Sequence, residues 1–385
     1  MSKNYTKITV LKLFTFDFSL EKGYNKMDSL TQIVLGGAVG EVVLGKKIGN
    51  KAILFGAIAG TIPDLDVFQG LIQQTISHRG FTHSFFFAFL MSPILAWLTL
   101  KIFKDRNLGQ IPIENLNLWQ KFQKRFLRES GASFKEWTWL YFLGFVTHIL
   151  LDVQTIYGTE LLWPYKARLT TANVFVADPL YTLPFLVILI AVMFYKRDSK
   201  ARRNLNRFGL ILSTSYLLLT MVFKAITYQK FTKNLKEQNI EYSRIETGPT
   251  PLNAILWFAN VETKDQYLTG NYSLLDKDDH IKFKTYDKNF ELRQKLQGYE
   301  NFKKLNHFSK DWYLLTALEN DTIKYENMRF GGPFTDDEEA NFVFSYKLKL
   351  VGDELTFKED FDREKMKGKA GSIFSKLWQR ILGNK

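Results

Sequence analysis

The chain has 385 residues, no cysteine, and 52 Lys plus Arg against 39 Asp plus Glu, for a formal net charge of +13. Without cysteine there can be no disulfide, iron–sulfur cluster or thiolate-bound zinc, so any metal must sit on His, carboxylate, carbonyl or water ligands. Much of the basic excess lies in short loops between apolar segments, which points to membrane topology and anionic lipid; with no motif of a nucleic-acid-binding fold, no nucleic acid partner is expected.

The mean hydropathy of -0.15 averages two unlike halves. Roughly the first 230 residues are apolar blocks between basic loops, and the remainder is polar and charged. Residues 1–26 carry no signal-peptide pattern, because Lys3, Lys7 and Lys12 interrupt a short, mixed apolar run. The sequence changes character at Met27, and 1–26 is expected to be an upstream extension, non-native or disordered.

About six apolar segments follow, near 29–45, 51–67, 81–103, 136–152, 179–195 and 208–227. Several approach the ~20 residues that cross a bilayer. The first two are short and glycine-rich (Gly36, Gly37, Gly40, Gly56, Gly60), which favours two closely packed spans over a re-entrant hairpin. Residues 27–230 are thus predicted to form a transmembrane helical bundle. Lys46, Lys47 and Lys51 fill the first turn, and dense basic loops follow the third and fifth segments. The opposite loops hold only Arg79, Lys166 and Arg168. The positive-inside rule puts the basic loops in the cytoplasm and the C-terminal half outside an inner membrane.

From 240 to 360 the period changes to an alternation of apolar and polar residues. Ala254–Val261, Gln266–Leu274, Trp312–Leu318, Ile323–Phe330 and Phe342–Leu350 read as half-buried strands of a small β-rich soluble domain. Residues 371–385 suit an amphipathic helix, with Ile373, Phe374, Leu377, Trp378, Ile381 and Leu382 on one face. That face could rest on lipid or pack on the β domain. His280 and His307 in this half receive no role.

Ionisable residues next to apolar segments need a reason to be there. Asp64 and Asp66 close the second segment, where they could converge on a hard cation or merely end the helix in solvent. His78-Arg79-Gly80-Phe81-Thr82-His83-Ser84 leads into the third, with Gly80 allowing a turn and Thr82 able to cap the helix. His148 and Asp152 close the fourth on one helical face, as two ligands or as a His oriented by its carboxylate. Asp178-Pro179 opens the fifth, where capping alone would explain the carboxylate. Asp28 and Gln32 share a face at the start of the first. Counting segments brings all these ends to one side, whichever way the chain is inserted. The result is a nitrogen and oxygen site for one or two divalent ions, zinc or manganese by ligand type.

Pro63-Asp64-Leu65-Asp66, the His78–Ser84 string, Thr147-His148 with Asp152, and Leu161-Leu162-Trp163-Pro164 resemble a family of bacterial membrane-bound metal-dependent hydrolases, described as LexA-binding and inner-membrane-associated. The resemblance covers about residues 27–230. Members often carry a His where this chain has Gln32, so Gln32 is expected behind the ligands or replaced by Asp28. The leading expectation is a metal-dependent hydrolase at the outer face of the inner membrane, with Asp64, Asp66, His78, His83, His148 and Asp152 as metal residues, Arg79, Asp66 and His83 in catalysis, and Asp28, Gln32 and Asp178 as possible additions. Arg79 would bind an anionic group of a phosphoester or lipid-linked substrate. The rival expectations are a transporter, for which Glu41 deep in the first segment is the relevant carboxylate, and a membrane anchor with a structural metal.

Overall fold

The computed structural model describes residues 20–65, 79–103, 131–332, 342, 344–360 and 363–384. A mostly helical N-terminal part is followed by two small antiparallel sheets. The helices are α1 (Leu20–Ile48), α2 (Asn50–Thr61), α3 (Phe85–Phe103), α4 (Phe134–Val153), α5 (Pro179–Met193) and α6 (Lys200–Glu237).

Local chemistry sets their ends. Gly49, at φ 59°, supplies the left-handed turn between α1 and α2. Ser133 and Glu136 form a reciprocal capping box at the start of α4. Asp178 accepts from Leu180 N at 2.8 Å and Pro179 takes the first position of α5. Ser84, rather than Thr82, receives the Phe87 N–H at the start of α3. His83 therefore lies in the short 3-10 turn Phe81–His83 ahead of that helix, not in its first turn.

Among the described residues, two helices are long and apolar enough to cross a membrane by length and composition, α3 and α6. This corrects the expectation of about six spans. Helix α2 has 12 residues and α5 has 15, or roughly 18 and 22 Å at 1.5 Å per residue, short of the ~30 Å hydrocarbon layer. Helix α4 is long enough but carries Lys135, Glu136, His148 and Asp152.

Close packing replaces length in the first hairpin. A methyl group on Gly36 would lie 2.3 Å from the Gly56 carbonyl oxygen, and one on Gly40 2.1 Å from that of Ala52. The small residues let α1 and α2 approach backbone to backbone. Glu41, buried on α1, pairs with Arg202 of α6 through two contacts of 2.6 Å, the helix-pairing arrangement of such a carboxylate. Phe55, Phe87, Trp137, Tyr141 and Phe145 fill one helical core, and Val34, Ala38, Phe185 and Leu189 another.

The C-terminal half holds β1 (Arg244–Pro249), β2 (Leu256–Glu262), β3 (Gln266–Ser273) and β4 (Phe283–Asp287), then helices α7 (Phe290–Leu296) and α8 (Glu300–Ser309). A second set follows: β5 (Tyr313–Ala317), β6 (Thr322–Asn327), β7 (Phe344–Val351) and β8 (Glu354–Glu359). Each four-stranded sheet pairs its strands in chain order. One β-rich region thus resolves into two meanders with two helices between them. Helix α6 continues past its apolar stretch so that Phe231 and Leu235 pack on Trp257, Val261 and Leu268 of the first sheet. Arg329 binds the helical part by donating to the carbonyls of Ile156 at 2.6 Å and Tyr157 at 2.9 Å.

Helix α9 (Arg363–Ile381) begins before the expected tail. Its Leu377 and Ile381 are buried with Leu256, and Arg380 pairs with Asp276 at 2.5 Å. Phe374, Trp378 and Leu382 remain exposed. One apolar stripe therefore docks on the sheet and another faces outward.

Candidate metal centre

Four side chains from three stretches of chain meet where α2, α3 and α4 end or begin. Asp64 follows α2, His83 precedes α3, and His148 and Asp152 lie one turn apart on α4. One ligand atom from each falls within 4.8 Å of the others. Asp64 Oδ1 is 3.2 Å from His83 Nε2 and 3.5 Å from His148 Nε2. Asp152 Oδ2 is 3.3 and 3.4 Å from the same two nitrogens. Around a tetrahedral ion with bonds of ~2.0–2.1 Å, neighbouring ligands stand about 3.3–3.4 Å apart. The four nitrogen-to-oxygen spacings match that edge length.

The protonation pattern also fits. His148 Nδ1 is 2.7 Å from the Gly60 carbonyl oxygen. A carbonyl only accepts, so the proton sits on Nδ1, and a ring carrying that proton alone would turn its Nε2 lone pair into the cluster. His148 Nε2 and Asp152 Oδ2 are buried and make no hydrogen bond. Buried polar atoms that make no hydrogen bond are costly and rare, and a divalent cation would satisfy both. His83 faces Thr82 Oγ1 through Nδ1 at 2.9 Å. The group could hold a metal ion.

Asp152 is held from two further directions. Gln32 Nε2 donates to its Oδ1 at 2.9 Å, and Arg79 Nε lies 3.2 Å from its Oδ2. Gln32 thus sits behind Asp152. Arg79 is only 2 % exposed, with φ 67°, and its Nη1 donates to Thr155 Oγ1 at 2.8 Å. Its guanidinium also lies over the Tyr157 ring at 5.1 Å. Among the described residues, these contacts make Arg79 a brace for Asp152.

The remaining expectations divide. Asp66 and His78 lie outside the described residues, as does the side chain of Asp28. Asp178 is apart from the four-residue group: its carboxylate caps α5 and accepts from Tyr216 at 2.8 Å. The Leu161–Pro164 string has a packing role. Leu161 O accepts from Phe85 N at 3.1 Å, and the Trp163 ring lies 4.9 Å from that of Phe81, fixing the turn that carries His83. Two contributors escaped the sequence reading, the Gly60 carbonyl and Thr155. The Gly56-to-Gly60 spacing signals close helix approach, but a backbone acceptor leaves no mark in side-chain chemistry.

Residues 27–227 match the model of a family described as YdjM inner membrane protein, and the β half lies beyond that match. No curated protein and no solved structure matches the chain.

Proposed function

The chain belongs to the YdjM inner membrane protein family, and we propose that it is a membrane-embedded, metal-dependent hydrolase acting on a phosphoester or lipid-linked substrate at the membrane surface. The observation that supports this reading is the convergence of Asp64, His83, His148 and Asp152 on one point. A divalent ion held there supplies Lewis acidity and brings the pKa of bound water down toward about 7. The protein's own residues have distinct tasks. His148 is kept in one tautomer by Gly60, and Thr82 orients His83. Gln32 and Arg79 hold Asp152 from opposite oxygens. Asp64, at 15 % side-chain exposure against 0–1 % for the other three, is the ligand on the solvent side.

Burial of those three also favours a second reading, a membrane anchor whose metal is structural and whose β half meets a partner. The two readings separate experimentally. Metal content by plasma mass spectrometry on detergent-purified protein, with a His148→Ala/Asp152→Ala double variant, should show stoichiometric metal that the variant loses. Metal-dependent phosphoesterase activity lost in Asp64→Ala would carry the hydrolase reading. Full activity of that variant on a confirmed substrate would sink it. Metal loss that unfolds the protein, with no activity across a phosphoester and lipid-linked panel, would favour the anchor.

The proposal includes a multi-pass topology, with the Lys- and Arg-rich loops in the cytoplasm and the metal group and β half outside. The cysteine-free chain gives a clean test. Tyr165→Cys should react with an impermeant maleimide in cells whose outer membrane is opened, and Asp198→Cys only after the inner membrane is broken. The reverse pattern would invert the orientation.

A further inference from the structure

Between the helical part and the first sheet lies a cavity of about 230 Å³, lined by Lys224, Tyr228, Glu246, Phe258 and Arg329 among others. Ile156 forms part of its wall, and the same stretch of chain carries Thr155 and Tyr157 against Arg79. The cavity is thus separate from the metal group but adjoins its supports. It is smaller than the ~300–1,000 Å³ typical of drug-sized ligands, which suits a headgroup or an inorganic anion.

Its charge is unbalanced. Arg329 is 2 % exposed and donates to three carbonyl oxygens, those of Phe308, Ile156 and Tyr157. Lys224 likewise points its ammonium at the carbonyls of Thr171, Ala172 and Thr247. These partners are dipoles, not charges, and buried cations normally require a counter-charge. Arg168 acts electrostatically on Arg329, and Arg329 in turn on Lys310, which lies outside the lining; Glu246 is the one carboxylate among the lining residues. Burial first, and then the neighbouring Arg329, pull Lys310 down to about 8, a sign of crowded positive charge.

We propose that this cavity binds a phosphoryl anion, held by the positive field of Arg329, Lys224 and Lys310 and limited by Glu246. Three of the five N–H donors of Arg329 are taken by carbonyls, leaving others for the ligand. The anion can come from a lipid headgroup, since Val222 and Tyr228 of α6 are exposed nearby in sequence, or from soluble phosphate. The inference does not depend on the hydrolase reading.

The test is calorimetric titration of inorganic phosphate into EDTA-treated full-length protein, alongside retention of phosphatidylglycerol against phosphatidylcholine in mixed nanodiscs. Glu246→Gln should tighten phosphate binding roughly ten- to twentyfold, the effect of one unit charge ~10 Å away at an effective dielectric constant of ~20. Lys310→Met should weaken it by a similar factor. A gain in Glu246→Gln cannot come from misfolding. Phosphate binding with these opposite shifts would establish a soluble anion site. Selective retention of phosphatidylglycerol, lost in Lys310→Met, would assign the site to lipid. Neither kind of binding, insensitivity to both variants, or binding seen only before EDTA treatment would overturn the proposal, the last by placing the anion on the metal.

Discussion

His148 on α4 and Gly60 on α2 are joined by a 2.7 Å hydrogen bond that fixes which imidazole nitrogen faces the ligand cluster. Gly60 can play this part because α1 passes so close: a methyl group there would lie 2.4 Å from the Gln32 carbonyl oxygen. Gly60→Ala must therefore separate two backbones and displace both the acceptor of His148 and the Gln32 brace of Asp152. Metal affinity should fall about 10- to 100-fold, the usual cost of losing such outer contacts. Gly37→Ala is the control, since its methyl would meet side-chain atoms of Ile53 and Leu189 at 3.1 Å, which can shift. Equal metal affinity in Gly60→Ala and wild type would remove this hydrogen bond from the account.

Arg79 gives the second prediction. One guanidinium reaches both Asp152 and Thr155, and a lysine ammonium cannot reproduce that planar fork. Arg79→Lys should lower metal affinity by about 10- to 100-fold, read by competition with a chelating dye. A substrate-binding arginine would behave differently: KM would rise while metal affinity stayed unchanged. That result would favour the substrate-binding role.

The Glu41–Arg202 pair separates stability from function. Both side chains are 2 % exposed and meet at 2.6 Å. Breaking a buried pair from one side costs about 3–5 kcal/mol, because the partner charge is stranded. Glu41→Gln should lower thermal stability markedly and leave the bound metal per folded chain unchanged. If Glu41 served transport, the variant would instead abolish metal-dependent flux in proteoliposomes.

Much of the site was legible because its chemistry is carried by rare residue types at diagnostic spacings. His83 in its string, and His148 one turn from Asp152, needed only helix periodicity and a count of segments to be brought together. The arginine brace was not legible, because sequence shows that Arg79 is charged but not that its side chain turns inward. The short helices were over-read as spans for a related reason. Hydropathy records apolar character, whereas the 12 residues of α2 are apolar to pack against α1. In the β half, Ile323-Lys324-Tyr325-Glu326 alternates clearly, but β1 ends in Pro249 and β4 is largely half-exposed, so neither showed a buried face.

The last prediction concerns pH and rests on Lys310. Its charged neighbours are Arg329, Arg168 and Arg244 on the positive side and Glu246 on the negative. With its pKa drawn down to about 8, Lys310 is a cation below that pH and loses its charge as pH rises through it. Anion affinity at the interdomain cavity should therefore be highest below about pH 8 and decline above it. Sulfate is the suitable probe, since its own charge is constant over that range. Lys310→Arg stays charged throughout and should make the profile shallower without weakening binding at low pH, the cavity-lining Lys224 still titrating. A wild-type profile that is already flat, or one that Lys310→Arg leaves unchanged, would show that Lys310 does not contribute to the field holding the anion.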